Sequence, residues 1–209
     1  MLLRNQRGMR RGFVLAGLGV TLSLLFSPLI QRALAASGSD DFNRANSTNL
    51  GSQWTERAGD FQIYSNTLRN ADTSADIVAS FTGGPYTDVA ATVQMQKTAN
   101  IGTTTIGVRW GGYSGGVPSQ GYGAEVLGDG TVKLWRIDDW TVLGSYQIPS
   151  FQYNQWITIT LRAEGSTLGV DVNGVRQITE IDATYSSAMW GSGRIHRAAR
   201  TSTFLIISC

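Results

Sequence analysis

From Phe61 to Ile178 the chain alternates apolar and polar positions with a period of two, and no segment sustains the 3.6-residue period of a helix. Val89, Ala91, Val93 and Met95 alternate with Ala90, Thr92, Gln94 and Gln96, the pattern of a half-buried strand. Ile106, Val108 and Trp110 alternate with Thr105, Gly107 and Arg109, and Ile157, Ile159 and Leu161 with Thr158, Thr160 and Arg162. The breaks between these runs are turn signals. Gly128-Asp129-Gly130 joins Tyr122–Leu127 to Thr131–Ile137, Asp138-Asp139 leads into Trp140–Ile148, and Glu164-Gly165-Ser166 precedes Leu168, Val170 and Val172. Asn173-Gly174 closes a further hairpin. Strands this short and this regularly spaced predict an all-β sandwich or barrel.

Ahead of this pattern, Asp40-Asp41-Phe42-Asn43-Arg44-Ala45-Asn46 and Leu50-Gly51-Ser52-Gln53-Trp54 set two large apolar anchors, Phe42 and Trp54, in a turn-rich segment. A hairpin around Phe61–Arg69 follows, which is how a chain enters an antiparallel sandwich whose first strand seals an edge. The order of these pieces resembles secreted bacterial domains of the concanavalin A-like lectin/glucanase superfamily, in its laminin-G-like and 3-keto-disaccharide-hydrolase-like branches. Tyr86-Thr87-Asp88-Val89 opening a long strand, Gly121-Tyr122 before an Asp-Gly hairpin, and Trp156 heading an Ile/Leu strand add to that resemblance. It covers most of residues 40–195. It implies a two-sheet antiparallel jelly roll, one sheet of which curves and receives ligand on its concave face.

The first 35 residues have the layout of an export signal: Arg4, Arg7, Arg10 and Arg11, an apolar run from Phe13 to Ile30, and Ala33-Leu34-Ala35 as a cleavage site. Arg10-Arg11 resembles a twin-arginine signal, and the general export route stays open beside it. This layout predicts a signal peptide over 1–35 and one domain over 36–209. Five of the 17 Lys and Arg precede Ala36 and none of the 15 Asp and Glu do, so the remainder carries a net charge of −3. No basic patch interleaved with aromatics remains, which argues against nucleic acid. No Lys/Arg-rich amphipathic helix is present for a membrane surface. The single cysteine, Cys209, offers no internal disulfide, and the single histidine, His196, rules out a multi-histidine metal site. After Ile195 the chain departs from the family pattern, which ends in an acidic strand beside the entry segment. Arg194, Arg197 and Arg200 lead instead into Phe204–Cys209. Two readings stand: a frameshifted ending, or a variable tail whose Thr203–Ile207 supplies the last strand.

Three sets of residues are candidates for chemistry. Glu180-Ile181-Asp182-Ala183-Thr184-Tyr185 matches part of the Glu-x-Asp-x-x-Glu motif that the resemblance implies for glycosidases, but Tyr185 stands where the acid/base is needed. Retaining hydrolysis requires two carboxyls about 5 Å apart, so this segment reads as a polar loop with one Asp holding backbone amides. The second set is a sheet face. If Ile106/Val108 and Val132/Leu134 point to the core, alternation places Arg109, Lys133 and Trp135 on the other side, together with Glu125. Tyr113, in the glycine-rich 111–121 loop, and Trp140, at a hairpin tip, extend it. Sugars bind such faces, an aromatic ring against axial C–H groups and charged groups on the hydroxyls. The third set is Asp40, Asp41, Asp138 and Asp139, adjacent acids that are the candidate ligands for a structural calcium ion. The expectation is an exported, non-catalytic recognition module for a glycan or another extracellular ligand, without a required cofactor. A disaccharide- or glucan-hydrolysing enzyme using Glu125, and an adhesive cell-surface domain, are the alternatives.

Overall fold

A computed structural model describes residues 38–71, 76–81, 87–100, 102–185 and 202–203. The expected signal peptide over 1–35 and the residues from Phe204 onward therefore lie outside the described residues, as does the basic stretch Arg194–Arg200. Among the described residues every regular element is a strand: β1 (Trp54–Ala58), β2 (Phe61–Tyr64), β3 (Thr67–Asn70), β4 (Asp76–Phe81), β5 (Val89–Gln96), β6 (Thr104–Gly111), β7 (Gln120–Val126), β8 (Thr131–Arg136), β9 (Thr141–Gln147), β10 (Trp156–Glu164), β11 (Thr167–Val172), β12 (Val175–Ile181) and β13 (Ser202–Thr203).

Two four-stranded antiparallel sheets, ordered β12-β11-β10-β5 and β6-β7-β8-β9, share one core. The alternation explains which residues fill it. Val89, Ala91, Val93 and Met95 of β5 point inward with Ile157, Ile159 and Leu161 of β10, and meet Ile106, Val108, Tyr122, Ala124, Val132 and Leu134 of the other sheet. Each fully buried aliphatic side chain contributes roughly 1.5–3 kcal/mol by leaving water. The expected two-sheet antiparallel sandwich is thus observed.

The hairpins sit where the turn chemistry places them. Ser65-Asn66 and Asn173-Gly174 both hold positive φ at their two central residues (50° and 58°; 50° and 80°), the turn whose twist matches that of the flanking strands. β2 and β3 pair around the first of these turns, and β11 and β12 around the second.

The entry segment differs from expectation. Asp40–Arg44 forms a turn, with Phe42 at φ 53°, and the first ladder contact is a bridge from Ser47 to Ile63. Asp40 is the reason: its carboxylate accepts from the Phe42 amide (2.9 Å), the Trp54 indole (2.8 Å) and the Arg44 guanidinium (2.6 and 3.0 Å). The Phe42 amide is thereby turned to Asp40, the Asn43 amide donates to Asp41 and the Arg44 amide to the Phe42 carbonyl, so these three bond within the segment. Phe42 and Trp54 do act as anchors, in a second core with Leu50, Phe61, Ile63 and Ile77, where Trp54 packs edge-on against Phe81 at 5.2 Å. Of the expected last strand, Ser202–Thr203 pairs in parallel with Asp76–Ile77 of β4. These two residues therefore meet β4 instead of the Asp41–Phe42 segment, and the rest of the expected strand lies outside the described residues.

Candidate functional site

The outer face of β6-β7-β8-β9 is where the structure brings most of the expected ligand residues together. Register places Thr105, Glu125, Lys133 and Ser145 side by side across the four strands. One step along, Gly107, Gly123, Trp135 and Val142 form the next row. The two glycines matter because neighbouring side chains occupy the space a Cβ would fill. A Cβ on Gly107 would lie 1.8 Å from the Trp110 indole, and one on Gly123 would crowd Thr105 and Ile137 at 3.0 and 3.2 Å. Side chains from neighbouring positions fold over them. The result is a shallow depression lined by Val78, Thr105, Trp110, Val117, Pro118, Glu125, Trp135, Ile137 and Trp140. Its cavity volume, about 10 Å³, has room for about one water molecule, so a ligand would lie across it instead of being swallowed.

Glu125 and Trp135 are fixed to each other. The Trp135 indole donates to Glu125 Oε2 at 2.7 Å, which orients the ring and leaves the other carboxylate oxygen without a hydrogen-bond partner among the described residues. Lys133 holds its ammonium 5.4 Å from the Trp135 ring centroid. Trp140 packs edge-on against Trp135, at 6.1 Å and 75°, and is itself 44% exposed. Thr105 lines the same depression, nearly fully buried, with a hydroxyl that has no partner among the described residues. Lys97, which follows β5, is close enough to Glu125 for their charges to interact. Burial pushes its pKa down, the Glu125 carboxylate opposes that shift, and its ammonium donates to the Gly102 carbonyl at 3.0 Å.

Arg109 is not on this face. Strand β6 bulges between Val108 and Gly111, with Arg109 at φ 54°, so the alternation reverses there. Arg109 turns into the interior, 1% exposed, and donates to the carbonyls of Thr87 (2.8 Å), Gly165 (2.7 Å) and Tyr185 (2.8 Å). Desolvation lowers its pKa, and a long contact to Asp88 (3.7 Å) works against that. It ties three loops together. Trp110 takes the outward position instead, 5% exposed, and donates its indole N–H to the Tyr122 carbonyl at 2.6 Å. Tyr113 is also placed elsewhere: its ring lies under the Arg57 guanidinium at 4.0 Å, outside the lining of the depression.

The acidic pairs are taken up by the chain's own cations and amides. Asp40 holds Arg44 and Trp54, and Asp41 accepts from the Asn43 amide. Asp138 and Asp139 both bind Arg136. No cluster of three or more acidic, histidine or cysteine side chains that would hold a metal ion occurs among the described residues. Asp182 behaves as the sequence led one to expect of it. Its carboxylate accepts from the Thr184 amide (2.8 Å), the Tyr122 hydroxyl (2.8 Å) and Arg136 Nη1 (2.9 Å). Burial alone would raise its pKa, but the hydrogen bonds from Thr184, Tyr122 and Arg136 outweigh it and bring the group down to about 2. Sequence reasoning missed Arg136, the hub of this network, and the apolar wall of Val117, Pro118 and Ile137. The Gly-Gly pair after Trp110 was the available signal of the bulge.

No family model matches the chain, and no curated protein sequence matches it. Among solved structures it is similar to the carbohydrate-binding module CBM66 from Bacillus subtilis, with a TM-score of 0.51 and 17% sequence identity over 65% of this chain and 83% of that one. At that identity the likeness is one of fold: the chain shares its β-sandwich architecture with a carbohydrate-binding module.

Proposed function

We propose that this chain is an exported, non-catalytic carbohydrate-recognition module built on a concanavalin A-like sandwich, and that it binds glycan across the outer face of β6-β7-β8-β9. The observation that carries the reading is the Trp135–Trp140 pair, set on an open sheet face with Trp135 pinned to Glu125. Indole faces supply stacking area for the axial C–H groups of a sugar ring at low conformational cost. Beside them, the unpartnered oxygen of Glu125 accepts from sugar hydroxyls, and the Lys133 ammonium donates to ring or hydroxyl oxygens. A carboxylate only accepts, so the reading favours a neutral glycan over one carrying acidic groups at that position. The solved carbohydrate-binding module of similar fold agrees with this reading.

Glu125 is also the one carboxylate among the residues that line the depression. Paired-carboxylate hydrolysis needs a second within about 5–10 Å across the scissile bond. Binding without turnover is therefore the simpler reading. A glycan array with wild type and Trp135→Ala tests it. The expected outcome is a defined set of neutral glycans bound by the wild type and lost by the variant. Signal that persists unchanged in Trp135→Ala removes the site, and no signal on any glycan removes the reading.

A further inference from the structure

The turn from β8 to β9 is Ile137-Asp138-Asp139-Trp140, and it holds Trp140 at φ 55°. A bulky side chain in the left-handed region is disfavoured and persists only where its surroundings over-determine it. Those surroundings are visible. Arg136, the last residue of β8, donates Nε to Asp138 Oδ1 at 3.0 Å and Nη2 to Asp139 Oδ2. The same two carboxylates then close on the backbone beside Trp140. Asp138 Oδ1 accepts from the Asp139 amide (2.9 Å), and Asp139 Oδ1 accepts from the Thr141 amide (3.1 Å). The third arm of the guanidinium, Nη1, reaches Asp182 at 2.9 Å, in the segment that follows β12. Asp182 is held in turn by Tyr122 and Thr184. Each arm of a rigid, planar fork thus meets a different carboxylate, and the turn is bolted to a part of the core that does not belong to the hairpin.

We propose that Arg136 is the positioning residue of the site: by clamping Asp138 and Asp139 against Asp182, it holds Trp140 in the left-handed conformation that presents its ring beside Trp135. The inference rests on the carbohydrate reading above for what the ring is presented to. It gives a use to Asp182, the part of the incomplete acidic motif that no catalytic reading absorbs. Lysine is not an equivalent, because an ammonium is a point charge without the fork that spans three carboxylates.

The test uses wild type, Arg136→Gln and Arg136→Lys, with two readouts. The first is the indole N–H signal of Trp140 in a ¹⁵N NMR spectrum without ligand, for its position and its fast-timescale mobility. The second is affinity for the best glycan of the array. The expected result is a shifted, more mobile Trp140 signal in both variants, with the backbone signals of β5 and β10 in place. Affinity falls roughly tenfold or more, the size of one lost hydrogen bond to a charged group. A merely structural role would lower the melting temperature while leaving the Trp140 signal and the affinity of the folded fraction unchanged, and that result overturns the proposal. If Arg136→Gln does not fold, Asp139→Asn removes a single arm and is read in the same two ways. A wild type that binds no glycan overturns the carbohydrate reading, whereas an unmoved Trp140 signal overturns the positioning role, so the two failures are distinct.

Discussion

Two residues of one strand, Arg109 and Trp110, exchange roles across a single bulge. A buried guanidinium that holds three carbonyls is expensive to disturb, because removing it leaves the buried Tyr185 carbonyl and the partly buried bonds to Thr87 and Gly165 without their donor. Arg109→Met is expected to lower stability by about 3 kcal/mol or more, measured by denaturant unfolding, since breaking a buried polar pair from one side costs of that order. Its folded fraction should bind glycan as the wild type does, because the side chain points away from the candidate face. A variant of normal stability with impaired binding would return Arg109 to that face. Period-two alternation placed Glu125, Lys133 and Trp135 correctly because β7 and β8 pair in unbroken register through those positions. It misplaced Arg109 because a one-residue slip reverses every later side chain, and alternation carries no marker of a slip. Tyr113 was unreadable for another reason: its partner Arg57 lies 56 positions earlier, in a strand the pattern does not link to the loop.

At the scale of elements, the β8–β9 turn joins conformational strain to exposure. Substituting Trp140 removes the same packing against Trp135 whether the replacement is glycine or alanine, but only glycine adopts φ 55° without penalty. Trp140→Gly is therefore expected to be about 1 kcal/mol more stable than Trp140→Ala by thermal unfolding, with glycan binding lost in both. Equal stabilities would mean that the turn relaxes out of the left-handed region once the ring is gone. The hairpins at Gly128-Asp129-Gly130 and Asn173-Gly174 were legible because their turn residues are dictated locally. The entry segment was not. Whether Asp40-Asp41 opens a strand or a clamp depends on Trp54, 14 residues on from Asp40, turning its indole back onto that carboxylate.

For the whole molecule, the buried polar groups set a pH window. Asp182 has a folded pKa of about 2, below its ordinary value of 3.8. Its contribution is complete above pH 4 and is lost as pH falls through 4 towards 2, about 2 kcal/mol in all. Asp40 and Asp171 are lowered as well, against the desolvation that burial imposes, by hydrogen bonds from Arg44 and from Arg176 and Arg162 respectively. Tyr122 moves the other way: burial pushes its phenol up to about 12. The neutral form is favoured in the folded state, so its contribution holds below pH 10 and fades between 10 and 12. Through these groups stability should fall below pH 4 and above pH 10, and in Asp182→Asn the acid limb should lose part of its slope. An acid limb identical in that variant and in the wild type would place the titrating group elsewhere.

The architecture offers two outer faces, and each carries tryptophan. Trp135 and Trp140 lie on the β6-β7-β8-β9 face, while Trp156, 57% exposed, heads β10 of the opposite sheet. The most direct measurement is to add the best-bound glycan to ¹⁵N-labelled protein and follow the indole N–H signals of all three. Saturable shifts at Trp135 and Trp140, with Trp156 unmoved, are the predicted result. Shifts confined to Trp156 would contradict the account.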